Sequence, residues 1–275
     1  MNYLHSSYVK SGKILNKDLL YVLWASMRHP VIFMERYEWR PLTDMEVAAI
    51  AQMWKYVGTM MEIDYEAELG KKEWSNGVEF MEDLNDWACT YEDEYLHPLP
   101  EVKLLGDVLI ELLLSAYPAI ARPVGYQAVS VMLGERLRYA FGLPEPSIAA
   151  ITLVNGAVWI RKFVLRHLSL PRMIGVDYLS DPDKTTGRMH KLRYLKEPWY
   201  NPSTIWTRWG PVAILSRLAG VEVPGSADKK PEGLAFEDIG PRGKMGKGHD
   251  EVNRLESEAR QHVSGSCPFS SQVAA

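Results

Sequence analysis

The sequence predicts an all-α fold: a helical bundle of about six or seven helices with an irregular C-terminal extension. Three observations predict it. Apolar residues recur at three- and four-residue spacing in one segment after another. Those segments are separated by proline, glycine and helix-capping residues. The two-residue alternation of strands is almost absent, so less than about a tenth of the chain is expected in strands, well under the usual share.

Each element is justified in order. Asn16 or Asp18 caps a helix from about Leu19 to Met34, and Pro30 within it is expected to kink or break it. Thr43-Asp-Met-Glu46 then reads as a capping box. The helix it starts runs to about Ile63 and carries Ala48, Ala49, Gln52, Met53, Trp54, Val57, Met60 and Met61 at helical spacing. That phase predicts Met53 and Trp54 buried and Lys55 exposed. Glu66–Gly77 is polar and reads as a loop. Val78–Leu96 returns to helical spacing through Phe80, Met81, Leu84, Trp87, Tyr91 and Tyr95, and His97-Pro-Leu-Pro100 stops it. The apolar Val102–Tyr117 is read as a buried helix. Arg122-Pro123 opens another helix, to about Phe141, and Ser147 caps one to about Leu168 with a basic end of Arg161, Lys162, Arg166 and His167. After Leu170-Pro171-Arg172 the texture becomes loop-like and aromatic, with a short helix at Thr204–Leu218 and a weak one at His249–Val263. Residues 1–218 are expected to form the helical domain and residues 219–275 an extended tail.

Composition bounds the function. With 275 residues, 47% hydrophobic and 24% charged, the chain can bury a real core. A net charge of −4 without a basic stripe disfavours nucleic acid as a partner. The two cysteines, Cys89 and Cys267, are far apart, which argues against a disulfide framework or a cysteine zinc site. No signal peptide is visible. Leu104–Ala121 is the most apolar run, but Asp107, Glu111 and Pro118 interrupt it short of the about 20 apolar residues a membrane span needs.

None of the seven histidines forms an HxxxH or HExxH pair, and GxSxG and a strand-borne phosphate loop are missing. There is likewise no ExxH pair of the ferritin-like di-iron type. Arg36, Glu38, Trp39 and Arg40 cluster ahead of the capping box, either as a buried ion-pair group or with Arg36 or Arg40 free for an acidic ligand. Asp107 and Glu111 face either a pocket or the solvent edge. Arg136, Arg138 and Arg161 are either inter-helix cations or anion contacts.

Longer words carry more. LHSSYVKSGKILNKDLLYVL is followed by RYEWRPLTDMEVAAIAQMWKYVGTMMEID, then LRHLSLPR at Leu165–Arg172, GRMHKLRYLKEPWY at Gly187–Tyr200 and RWGP at Arg208–Pro211. In this order they resemble the rubber oxygenase (latex-clearing protein) family, and within it the fungal, ER-bound MpaB-type oxygenases. The resemblance covers about Asn2–Gly248. It implies a b-type haem in a helical bundle, with His5 as the proximal iron ligand, followed by the Asp18–Leu23 and Trp54–Gly58 words. Trp39, Met53, Trp54 and Val57 would line the pocket, and Arg40 would contact the cofactor. A neutral imidazole is a good axial ligand for haem iron, and apolar helices make the dry wall a porphyrin needs.

The implied reaction is oxidative cleavage of a carbon–carbon double bond in an isoprenoid or prenylated substrate with O2. The implied location is the endoplasmic reticulum membrane, although the chain shows no anchor and cytoplasmic placement is the alternative. The family's distal arginine and its lysine or threonine lie upstream of the proximal histidine, whereas this chain begins four residues before His5. The chain is therefore expected to correspond to the C-terminal two-thirds of such an enzyme. His5 would face a concavity lined by Leu19–Trp24 and Met53–Met61, open on one side and weak in haem retention. A helical protein without haem is the rival from another class.

Overall fold

The computed structural model describes residues 2–266, apart from residues 116, 172, 174, 195, 196, 219, 220, 236, 237, 239–242 and 244. The chain divides into two compact units, Met1–Pro171 and Arg172–Ala275. Among the described residues there is no strand beyond two isolated antiparallel bridges, so the fold is all-α.

The first unit holds α1 (Asn2–Lys10), α2 (Asn16–Tyr37), α3 (Asp44–Met60), α4 (Tyr65–Leu69), α5 (Gly77–Tyr95), α6 (Pro100–Leu114), α7 (Arg122–Ala140) and α8 (Ile148–His167). Six of these have 15 residues or more. Local chemistry sets their starts. Asp18 accepts from the Leu15 N–H at 2.9 Å, while Asn16 binds Asp64 instead, through its side-chain amide to the Asp64 carbonyl and from the Asp64 N–H. Thr43 and Glu46 form the expected reciprocal box at the start of α3, and Ser147 Oγ accepts from the Ala150 N–H at 3.2 Å. Contrary to expectation, α2 continues through Pro30 without a break. The expected Glu66–Gly77 loop begins with α4, capped by Asp64.

The main core lies where α2, α3 and α5 meet. Leu20, Leu23, Trp24, Met27 and Val31 of α2 pack with Ala51 of α3 and Phe80, Met81, Leu84 and Ala88 of α5. Tyr65 and Trp74 close it through edge-on contacts with Phe80. Among the described residues of this unit, Glu92 is the buried charge. Arg136 of α7 and Tyr21 of α2 both bond it, at 2.7 and 3.0 Å, so one carboxylate ties three helices. A smaller cluster holds Ile110, Leu114 and Leu143, with Tyr126, Val129, Leu133 and Phe141 packed against it.

The expectation of a buried helix after Val102 is overturned. Only Gly106, Ile110 and Leu114 of α6 are buried, and Leu104, Leu105, Val108, Leu109, Leu112 and Leu113 are exposed. An all-round apolar helix reads as buried whichever stripe meets a neighbour. No residue of α8 is buried either, and its 20 residues are long and apolar enough to cross a membrane. Its basic end serves α2 rather than itself. Arg161 and Lys162 donate to the Tyr37 and Glu35 carbonyls at the end of α2, where cations are favoured.

Two surface carboxylates give the fold an acid-sensitive edge. The Arg40 guanidinium and then the Thr43 N–H hold Glu46 at about 2, below its ordinary value of 4.5. Lys71 and then the Ser75 N–H hold Glu79 at about 2. In both cases the unfolded chain takes up the proton at higher pH than the folded one. Their contribution is therefore complete above pH 4.5 and is lost as the pH falls through about 2. Urea unfolding across this interval is expected to show a shallower acid limb in Glu46→Gln and in Glu79→Gln. An unchanged slope in both would refute the assignment.

The second unit contains α9 (Ile205–Trp209), α10 (Pro211–Leu218) and α11 (His249–Ser266), so the expected Thr204–Leu218 helix is divided at Gly210. Around them irregular backbone is held by local ties. Arg188 bonds the Gly233 carbonyl at 2.8 Å and Asp238 at 2.9 Å, and Lys229 pairs with Glu197 at 2.7 Å. Cys267 lies outside the described residues.

Candidate functional site

The residues singled out by the sequence words sit on α1, on α3 and on the turn before α3. α1 is tied to the end of α3 by Asn2, whose side-chain amide donates to the Met60 carbonyl at 2.7 Å. His5 lies three residues on, hence on the same side of α1. Its ring is half-buried, and its Nδ1 is buried without a hydrogen-bond partner. A buried polar nitrogen is normally paired. An imidazole left in this state is suited to a metal or a ligand group.

On α3 the residues divide. Trp54 and Val57 are half-buried, and Trp54 packs against the main core. Met53, expected inside, is 54% exposed, and Lys55, expected outside, keeps only 18% of its side chain exposed. Lys55 lies over the Trp74 ring at 4.9 Å. The buried stripe of α3 runs through Val47, Ile50, Ala51, Trp54 and Gly58, which puts Met53 roughly a quarter turn off it. The apolar surface on this helix is broad enough to fit either phase.

Gly58, the last residue of the Trp54–Gly58 word, has a packing reason to be glycine. A Cβ there would overlap the Tyr65 hydroxyl and approach Leu23 Cδ2 to 3.0 Å. Asp18 and Leu23, from the preceding word, are structural too: Asp18 accepts from the Tyr91 hydroxyl at 2.9 Å, and Leu23 is buried in the core. Leu20, Leu23 and Trp24, expected to line a concavity for His5, instead fill one another's space in that core.

The charged cluster ahead of α3 does not form a buried unit. Arg40 grips Glu46 with two bonds of 2.8 Å, Glu38 pairs with Arg161 at 2.9 Å, and Trp39 is 46% exposed. Among the described residues Arg36 makes no ion pair. Asp107 pairs with Lys103 one turn away and Glu111 is exposed, which places both on the solvent edge of α6. Arg136 bonds Glu92 and Asp93, and Arg138 pairs with Glu145. All three candidate anion contacts, Arg161 included, are thus engaged between elements. Burial holds the His29 imidazole below its ordinary pKa.

A cavity of about 560 Å³ opens where the end of α2 meets α7 and α8. None of Leu19–Trp24 or Met53–Met61 lines it. Its wall includes Arg36, Tyr37, Ser130, Gly134, Asn155 and Val158. Helix α7 is interrupted here at Gly134, with φ 78° and ψ 176°, a backbone that only glycine adopts freely. Next to the break the Tyr37 hydroxyl donates to the Met132 carbonyl at 3.0 Å. Sequence reasoning passed over this feature. The sole signal was a glycine inside a helical run, which is commonly tolerated without a break.

Comparison with known proteins agrees with the sequence words. The family described as "ER-bound oxygenase mpaB/B'/Rubber oxygenase, catalytic domain" matches residues 7–162. ER-bound oxygenase mpaB' of Penicillium brevicompactum is 37% identical over 272 residues, which are 97% of this chain and 64% of that protein. ER-bound oxygenase mpaB of the same organism is 34% identical over 243 residues, 86% of this chain and 56% of that protein. Its namesake in Penicillium roqueforti (strain FM164) is 38% identical over 139 residues, 50% of this chain and 47% of that protein. The chain thus spans less than two thirds of the length of these relatives. No solved structure gives a significant match. With more than half of its residues inside the family match, and with helices that place the shared words on α1, α2 and α3, the chain belongs to the family of mpaB-type ER-bound oxygenases and rubber oxygenases.

Proposed function

We propose that this chain carries the proximal side of a haem-dependent oxygenase that acts with O2 on an isoprenoid or prenylated substrate at the endoplasmic reticulum membrane. The observation that carries the reading is His5: a half-buried imidazole with an unpartnered, buried ring nitrogen, on a helix that Asn2 ties to the end of α3. A histidine on haem iron binds through one ring nitrogen and ordinarily donates from the other, and the unpartnered Nδ1 leaves this imidazole uncommitted to any described protein group at that atom. When bound, haem supplies the oxygen chemistry, and the protein supplies the ligand, orientation and dry walls. Asn2 anchors α1 and so fixes where the imidazole stands. Trp54 and Val57 offer half-buried apolar surface that would serve as part of a dry wall. Arg40 is committed to Glu46, and Met53 and Trp39 are about half exposed, so these three support the reading less than the resemblance implied.

The test is spectroscopic. The full chain, titrated with haemin, is expected to sharpen and shift the broad Soret band of free haemin with a defined stoichiometry, and His5→Ala to lose that change while keeping its helical circular dichroism. A chain that folds but leaves the spectrum of free haemin unchanged would overturn the proposal and favour the second reading, a helical family member without cofactor. The exposure of Met53 and Trp39 is what recommends that second reading.

A further inference from the structure

The cavity between α2, α7 and α8 has a chemistry separate from that of His5. Ser130 in its wall is 1% exposed, and its hydroxyl is buried with no partner. A helical serine can ordinarily bond its own backbone one turn back. Leaving this one idle inside a cavity calls for an acceptor or donor from outside the chain. Arg36 stands on the same wall. Arg40, Arg136, Arg138 and Arg161 all hold carboxylates, but among the described residues Arg36 holds none. Its guanidinium lies against the Gly134 break, 3.7 Å from where a Cβ would stand. Glycine is therefore needed there for its positive φ and not for room. Asn155 adds an amide at the rim, and the exposed Glu135 lies at the solvent edge. The rest of the wall holds the Arg138–Glu145 pair, Tyr37 and Pro146 beside an apolar strip of Val131, Ile151 and Val158.

We propose that this cavity binds an apolar small molecule bearing a carboxylate, with the acid group at Arg36 and Ser130 and the hydrocarbon along Val131, Ile151 and Val158. The volume, 560 Å³, suits a small ligand, for which sites of about 300–1,000 Å³ are usual. One unpaired guanidinium and one hydroxyl match a single negative charge, since arginine pairs well with the two oxygens of a carboxylate. Glu145, the other carboxylate close by, is already paired with Arg138 at 3.6 Å.

Calorimetric titration of the full chain with decanoate, decanol and inorganic phosphate tests this. Decanoate is expected to bind saturably at one site, more tightly than decanol. Arg36→Gln is expected to weaken decanoate by about tenfold or more and leave decanol unchanged, because only the charge-assisted bonds are removed. Arg36 is exposed, so this variant is expected to fold. Ser130→Ala should weaken decanoate by a smaller factor. Equal binding of decanol and decanoate, or tighter binding of phosphate, would overturn the assignment, as would decanoate affinity indifferent to Arg36→Gln. His5→Ala is expected to bind decanoate as the parent does, so failure here and failure of the haem reading are separable.

Discussion

Gly77→Ala is expected to lower the stability of the first unit by about 3 kcal/mol, the upper part of the range for overpacking a tight contact. Gly77 is the first residue of α5 and is buried against α3. A Cβ at this position would come within 2.5 Å of the Ala48 carbonyl oxygen, 3.1 Å of Ala51 Cβ and 3.2 Å of the Gln52 backbone nitrogen. Two of those three atoms are backbone inside α3, so no rotamer change can make room. The helices must separate, and Phe80 and Leu84 on α5 lose contact with the α2 side of the core. The gain in helix propensity is small at a first-turn position, where helix order is least complete. The result is to be read as a fall in the urea midpoint with little change in slope, and in melting as a drop of roughly 6–12 °C for a unit of this size. A Gly77→Ala chain within about 0.5 kcal/mol of the parent, the usual spread of neutral surface changes, would show that the two helices do not approach so closely in solution.

That close approach marks where the sequence was readable and where it was not. Local chemistry was legible. Thr43 with Glu46, and Ser147 with the N–H of Ala150, could be named as caps because a cap is a short-range bond between fixed positions. The all-α class followed from spacing for the same reason. Facing was harder. Met53 and Trp54 are both apolar, and only the partner helices decide which turns inward; α5 and α2 select Ala51, Trp54 and Gly58. α6 and α8 are apolar on nearly every side, so their sequences say nothing of which stripe is covered. Gly77 sat at the edge of an expected loop and Gly134 inside an expected helix, and neither announces the tertiary contact or the break that needs it. The site was legible only through resemblance. A single histidine near the start of the chain carries no spacing signal, and what the structure adds is its buried, unpartnered nitrogen.

The second large effect is expected at Gly58, and it differs from the first in being repairable. Gly58→Ala puts a methyl group where the Tyr65 hydroxyl stands. Tyr65 cannot simply swing away. Its ring is buried among Trp74 and Phe80, and its hydroxyl donates to the Lys55 carbonyl at 2.9 Å. Burial also pushes its phenol up to about 12, so the donating form persists across the working pH range. Overpacking costs about 1–3 kcal/mol. Gly58 lies in the last turn of α3, so alanine there returns less than the about 1 kcal/mol of a helix interior, and a net loss of about 2 kcal/mol is expected once the displaced hydrogen bond is counted. Tyr65→Phe alone removes that one bond and should cost about 1 kcal/mol. In the double variant the overlapping oxygen is gone and the methyl meets the ring edge and Leu23 Cδ2 at 3.0 Å, a flexible neighbour that can yield. The two changes should therefore couple, with Gly58→Ala/Tyr65→Phe about 1–2 kcal/mol more stable than the sum of the singles predicts, within the range seen for residues in contact. Urea unfolding of all four chains measures the coupling. Strict additivity would mean that Gly58 is not held as glycine by Tyr65, and that the Trp54–Gly58 word has some reason other than this contact.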